Sequence, residues 1–390
     1  MLLRLRLLAV CFAAVFVVFS LRPGSAAPVV RSAISSFDLK FQAVLAENNI
    51  PGAAYAIVKD GKVISIKAYG TRALGASLPV NKDTVFRLAS VSKTFSAELA
   101  AMLVVDGKFS WDDPIVDYVP GFKLQTIGHA EHLNISHILS HSSGLTPNAY
   151  DNMLEDGWTI AKIIPRFKRL KPICKPGDCY GYQNILYSFI QPVIEKTTKH
   201  SFKDMMQTRI FTPLTMDHSS VGLEGYLSAG NRAEPHVLTR KGWYRTSVKP
   251  NYYNVAPAAG VNASIEDLAK WVRAQMGYNP DVLDASLLRT VTKKRVHTER
   301  ETRKRMWRAN LDDAYYGYGW RIYSIGGEDI IMHGGGVSGF RSLVAYSKER
   351  GIGQVMLMNA ESRSIDKLAA DFWADVTAES IRGGGTVKAR

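Results

Sequence analysis

The sequence predicts a mixed α/β protein of the α+β type, with one antiparallel sheet built from both chain ends, flanked by the terminal helices, and a mainly helical lobe inserted between them. Three observations carry this. Strand-like runs gather near the two ends of the 390-residue chain, the long middle reads as helices and loops, and an amphipathic helix stands at either end.

Taken in order, Arg4 and Arg6 precede an apolar run from Leu7 to Phe19, followed by Pro23-Gly24 and Ser25-Ala26-Ala27. This reads as a secretory signal over 1–27, cleaved near Ala26 or Ala27; the run is short for a bilayer span. The mature protein is expected to be periplasmic or secreted, without a transmembrane span. Residues 28–384 are then expected to form one domain, with a sheet lobe at about 28–85 plus 310–384 and a helical lobe at about 86–309.

Ala33 to Asn48 places Ile34, Phe37, Phe41, Val44 and Leu45 on one helical face, and Pro51-Gly52 stops it. Ala53–Lys59 and Val63–Tyr69 are strand-like runs, and Asp60-Gly61 between them is a hairpin signal. Strands return at Tyr318–Tyr323, Glu328–Met332, Phe340–Tyr346 and Gln354–Met358, with turns at Gly326-Gly327 and Lys348–Gly351. Ile365–Ile381 closes the chain as a helix burying Leu368, Phe372, Trp373 and Val376.

An apolar fraction of 46% with 10% aromatics is that of a globular protein with a large core. The formal charge of +14 falls to +11 when Arg4, Arg6 and Arg22 leave with the signal. Much of it sits in two runs, Lys162–Lys175 and Lys293–Arg308. Neither interleaves aromatic platforms or a nucleic-acid motif, so nucleic acid is not expected as a partner, and attraction to anionic envelope polymers fits better. Cys174 and Cys179 flank a Pro-Gly turn, and in an oxidising compartment they are expected to form a disulfide.

The chemistry centres on Val85–Val105. Phe95, Leu99, Met102 and Leu103 recur at helical spacing, and Ser90 and Lys93, three apart, meet where that helix begins. A helix start favours a developing oxyanion, and a desolvated lysine loses preference for its proton, so the pair suits nucleophilic catalysis. A second Ser-x-x-Lys, Ser364 and Lys367, has nothing catalytic beside it, and a helix cap with a solvated lysine is the ordinary reading of such a pair. Tyr182-Gln183-Asn184 offers a second proton carrier and an amide, but Tyr150-Asp151-Asn152 and Tyr252-Tyr253-Asn254 have the same spacing. His333-Gly334-Gly335-Gly336 follows a strand, and a glycine N–H there, such as that of Gly336, suits an oxyanion hole. His129, His132, His137 and His141 raise the alternative of a metal hydrolase, yet no His-Glu-x-x-His motif accompanies them.

Together, Phe86–Phe95 around Ser90-Val91-Ser92-Lys93, His137–Leu145, Pro176-Gly177 leading to Tyr182-Gln183-Asn184, and His333-Gly334-Gly335 resemble, in order, the motifs of the class C β-lactamase family. Ile210–Leu214, Ala259-Gly260-Val261 and Asp267-Leu268-Ala269 extend the resemblance. It implies the β-lactamase/transpeptidase-like fold. It also selects Tyr182, because the family's tyrosine motif follows a Pro-Gly loop.

Carried over, the resemblance implies Ser90 as acylated nucleophile, Lys93 as its proton partner, Tyr182 as proton carrier and Asn184 as binder of the substrate amide. The N–H groups of Ser90 and Gly336 would form the oxyanion hole, with His333 and Gly335 beside the substrate; no metal or other cofactor is expected. One departure stands out. β-Lactamases of the family carry Lys-Thr-Gly where this chain has His333-Gly334-Gly335, and Arg341 is the candidate for the missing charge. The expected activity is hydrolysis of the β-lactam amide by an exported monomer, with a small-molecule or peptidoglycan-derived substrate. D-alanyl-D-alanine carboxypeptidase and serine esterase are the alternatives, and a non-catalytic envelope-binding protein is the remote one.

Overall fold

The computed structural model describes residues 26–383, so the expected signal over 1–27, Cys11 included, lies outside the described residues except for its last two. Those two open α1 (Ala26–Glu47), which starts earlier than the apolar periodicity alone predicts. Phe37 and Phe41 of its buried face pack on Tyr55.

The chain then turns into the hairpin β1 (Gly52–Lys59) and β2 (Lys62–Gly70). Asp60 and Gly61 both take positive φ, 48° and 74°, as a turn matched to strand twist requires. Next come α2 (Ser92–Val105) and, after a long helical stretch, α3 (Ile265–Arg273). The late strands are β3 (Val296–His297), β4 (Asp313–Tyr316), β5 (Arg321–Ile325), β6 (Glu328–Val337), β7 (Phe340–Ser347) and β8 (Ile352–Met358), and α4 (Ser364–Gly383) ends the described chain.

These strands form one antiparallel sheet in the order β2-β1-β8-β7-β6-β5-β4-β3, so the two chain ends meet at the β1–β8 pair. Strand alternation sorts β1 between two cores. Ala53, Tyr55 and Ile57 face the terminal helices, whereas Ala54, Ala56 and Val58 face α2 and α3.

Three differences from the sequence expectation have physical reasons. The strand expected at Tyr318–Tyr323 is observed as Arg321–Ile325. Gly319, at φ 69°, turns the preceding residues so close to α2 that a Cβ there would lie 2.4 Å from the Lys93 carbonyl oxygen. Strands β3 and β4 had no expected counterpart, being too short to build an alternating pattern. Finally, α2 was expected to bury one face, but every residue from Ser92 to Leu103 is buried. The helix runs through the middle of the molecule, with helices on its other sides, and its sequence is accordingly apolar or small nearly all round.

Candidate active site

Ser90 lies in a single 3₁₀ turn, Ala89–Val91, that leads into α2. It does not cap the helix; the N-cap residue is Val91 and no side chain caps it. Ala89 takes φ 48°, a left-handed conformation that a residue with a Cβ adopts only under constraint. This kink leaves Ser90 partly exposed while its neighbours are buried.

Lys93 follows one turn later and is fully buried. Its Nζ donates to Asn184 Oδ1 at 2.7 Å and to the Ala258 carbonyl at 3.0 Å, and Ser90 Oγ stands 3.5 Å away. Burial holds the amine well below the usual lysine range; the Asp151 carboxylate opposes that shift and Arg321 adds to it. The other Ser-x-x-Lys pair has no such setting, since Lys367 is exposed and pairs with Asp371.

Tyr182 faces Ser90, and its ring lies 4.7 Å from Lys93 Nζ. Burial pushes its hydroxyl above the ordinary range, opposed by the neighbouring Ser90 hydroxyl and Arg321 guanidinium. The phenol therefore stays protonated through neutral pH. Of the three Tyr-x-Asn candidates, Tyr150 donates instead to the Arg166 carbonyl and Tyr252 to Glu155.

The Tyr182 loop is braced from two sides. Cys174 and Cys179 are joined as a disulfide. Ile173, Gly177 and Gly181 donate backbone N–H groups to the carbonyls of Gly144, Ser142 and His141 at 2.8, 2.7 and 2.8 Å. Here the His137–Leu145 segment acquires a physical purpose, as the platform on which the tyrosine loop is laid. His141 Nδ1 accepts from the Gln183 N–H at 3.2 Å, and its ring packs 4.3 Å from that of Tyr182. The remaining histidines serve locally: His129 meets the Ser143 carbonyl, His132 meets the Gly128 carbonyl, and His137 completes a capping box with Asn134.

The glycine run closes the site. Strand β5 pairs with β6 only as far as Met332, whereas β7 pairs with β6 to Val337, so His333–Val337 keep one open edge. Gly335 lies directly under the Ser90 turn: a Cβ there would stand 2.2 Å from the Leu88 carbonyl oxygen and 3.2 Å from the Ser90 nitrogen. Gly336 is exposed. His333 is buried, with Nδ1 on the Gly334 carbonyl at 2.8 Å and Nε2 on the Tyr316 hydroxyl at 3.0 Å. A carbonyl only accepts, so Nδ1 carries the proton and Nε2 accepts from Tyr316. Burial and the Arg321 guanidinium keep the ring neutral. Both its nitrogens are engaged within the protein, so it presents no charge to the cleft.

Positive charge gathers instead on the opposite face of this strand, in a cavity of about 640 Å³ lined by Gly334, Gly336, Lys304, Arg305, Arg341 and Arg363 among others, so Arg341 stands on the side turned away from Ser90. Glu301 pairs with both Lys304 and Arg321, at 2.6 and 3.0 Å, and offsets one of their two charges. Arg341 spends one nitrogen on the Val337 and Phe340 carbonyls at 3.2 and 2.9 Å. The basic run at 293–308 thus supplies part of this wall. Lys294 and Arg303 of the same run are paired with Asp329 and Glu299.

Among the described residues, the one grouping with metal-ligand geometry is Asp83, His218 and Glu266, away from this site. The Lys82 ammonium already bridges its two carboxylates, at 3.0 and 2.8 Å. No described helix is long and apolar enough to cross a membrane.

Sequence reasoning missed four contributors: the strained Ala89, the Ala258 carbonyl, Arg321 behind Tyr182, and Asp151, which accepts from Asn184 Nδ2 at 2.7 Å. Asp151 stood in a motif considered, Tyr150-Asp151-Asn152, and Ala89 in the Phe86–Phe95 stretch, but neither was singled out.

A sheet of this topology, with a serine and a buried lysine where its central helix begins, has the architecture of the penicillin-binding-protein type. The chain belongs to the Beta-lactamase family, whose match spans residues 37–378. It is similar to Protein flp of Staphylococcus aureus (strain NCTC 8325 / PS 47), 26% identical over 328 residues covering 83% of this chain and 62% of that protein. It is also similar to the unguisins hydrolase ungD' of Aspergillus campestris, 26% identical over 327 residues covering 80% of this chain and 59% of that protein. The chain thus spans less than two thirds of these curated relatives. Among solved structures it resembles the octameric penicillin-binding protein homologue from Pyrococcus abyssi, with a TM-score of 0.76, 25% identity, and 86% and 76% of the two chains covered.

Proposed function

We propose that the protein is an exported class C-type hydrolase that cleaves an amide through an acyl-enzyme on Ser90, with the β-lactam amide as the leading substrate. The observation that carries this is the setting of Lys93. Two of its three hydrogen-bonding directions are committed to Asn184 Oδ1 and the Ala258 carbonyl, neither of which can donate. The third direction faces Ser90 Oγ. In the neutral amine that direction is a lone pair, ready to take the serine proton.

Acylation then proceeds in two proton movements. Ser90 Oγ attacks the amide carbon as its proton passes to Lys93, and the oxyanion meets the N–H groups of Ser90 and Gly336. Alternation along a ladder closed by a two-residue turn points the Gly336 N–H to the open edge. The proton reaches the departing nitrogen through the Tyr182 hydroxyl, which its raised pKa keeps protonated. Asn184 keeps one amide hydrogen for the acyl side chain of the substrate.

A second reading, peptide hydrolysis of the carboxypeptidase kind, is favoured by His333, which leaves no cation where the family's lysine holds an antibiotic carboxylate. Stopped-flow hydrolysis of a chromogenic cephalosporin separates the two. The β-lactamase reading expects sustained turnover that Ser90→Ala abolishes. A stoichiometric burst that stalls would transfer the assignment to a peptidase, and no reaction would contradict both in favour of an esterase.

A further inference from the structure

Asp151 opens a short helix, Asp151–Glu155, immediately after Tyr150, whose backbone is left-handed at φ 64°. Only 8% of the aspartate is exposed. Its Oδ2 accepts from Asn184 Nδ2 at 2.7 Å, and Asn184 Oδ1 in turn accepts from Lys93 Nζ at 2.7 Å. Its other oxygen, Oδ1, is buried without a hydrogen-bond partner. The carboxylate therefore stands behind Lys93 with only the amide between them.

An amide is nearly symmetric in shape, and a neighbour able both to donate and to accept would let it sit either way round. A carboxylate only accepts, so it admits a single orientation, with Nδ2 toward Asp151 and Oδ1 toward Lys93. We propose that Asp151 is a positioning residue for the acyl-transfer reaction: it locks the Asn184 amide, which holds Lys93 with its free direction on Ser90, and it supplies the one negative charge beside that amine. This rests on the roles given above to Ser90 and Lys93. The groups facing Asp151 are Lys93 and Tyr182 across the site, Glu155 on its own helix and Tyr252 from the 251–255 turn. Those facing Lys93 are Asp151, Arg321, Tyr182, Tyr187, His141 and His333.

The test is the rate at which a fluorophosphonate probe modifies Ser90 as a function of pH, followed by intact mass. Ser90 Oγ forms the bond to phosphorus, fluoride leaves, and the serine proton passes to Lys93, so the rising limb of the profile reads that amine without any natural substrate. Asp151→Asn keeps the shape but removes the charge and the lock. The expected maximal rate falls about 10- to 100-fold, and the limb moves toward acid by roughly one pH unit as Lys93 loses its anionic neighbour. The exchanged pair, Asp151→Asn with Asn184→Asp, keeps both an amide and a carboxylate in the buried contact, and so tests the proposal even where the single variant does not fold. It places the carboxylate directly on Lys93, and its limb is expected on the alkaline side of the wild-type position. A limb unmoved in the exchanged pair, or in a folded Asp151→Asn protein that has only lost melting temperature, overturns the proposal and leaves Asp151 a packing residue. A wild-type protein whose Ser90 does not react overturns instead the reading on which the proposal rests.

Discussion

The two glycines at the open edge differ in what they accommodate. Gly335 is required by close approach, because any Cβ would meet the Leu88 carbonyl and the Ser90 nitrogen, which are backbone and cannot swing away. At Gly336 a Cβ would meet only Arg341 Nη1, at 2.9 Å, the far end of a flexible side chain. Gly335→Ala is therefore expected to displace one oxyanion donor and lower the acylation rate about 10²- to 10³-fold, while Gly336→Ala stays within a few-fold of wild type. Burst kinetics with a single acylating probe compare them directly, and equal losses would contradict this division. Ser90, Lys93 and the tyrosine motif were legible because each is a residue type that chemistry needs at a fixed spacing. Ala89 and Asp151 were not: one matters for a backbone angle, the other for an amide it meets 33 residues further along the chain.

At the scale of elements, α2 carries Lys93 at one end and an acid without a hydrogen-bond partner, Glu98, further along. Burial pushes Glu98 up to about 8, and neither carboxylate oxygen has a hydrogen-bond partner meeting ordinary geometry. Below the unfolded value of 4.5 the group is neutral in both states and costs nothing extra. As pH rises from there to about 8 the unfolded chain ionises while the folded one retains its proton, so folding loses stability across that window. Glu98→Gln removes this loss. Its melting temperature is expected to be close to wild type at pH 5 and several degrees above it at pH 8; a difference that does not grow with pH would contradict the account. The hairpins were readable from strand-like runs and the Asp60-Gly61 and Gly326-Gly327 turns. Strands β3 and β4 were not, because two to four residues hold no period, and the full burial of α2 depends on partners scattered across the chain.

In the whole molecule the sheet brings residues near 55 and near 355 side by side, and the candidate site lies on its α2 face. Order along the chain made this architecture predictable, since strands at both ends with helices between them leave few ways to close a sheet. The site is another matter. Its four motifs are separated by long stretches, and what joins them is packing: Gly319 against α2, Gly335 under Ser90, and the 141–144 segment under the Tyr182 loop. The most direct measurement is peptide mapping by mass spectrometry after brief reaction with a penicillin, an activated ester and a fluorophosphonate. The account predicts a single adduct on the peptide holding Ser90, absent from Ser90→Ala and strongly slowed in Lys93→Ala. An adduct on another residue, or one undiminished in Ser90→Ala, would contradict it.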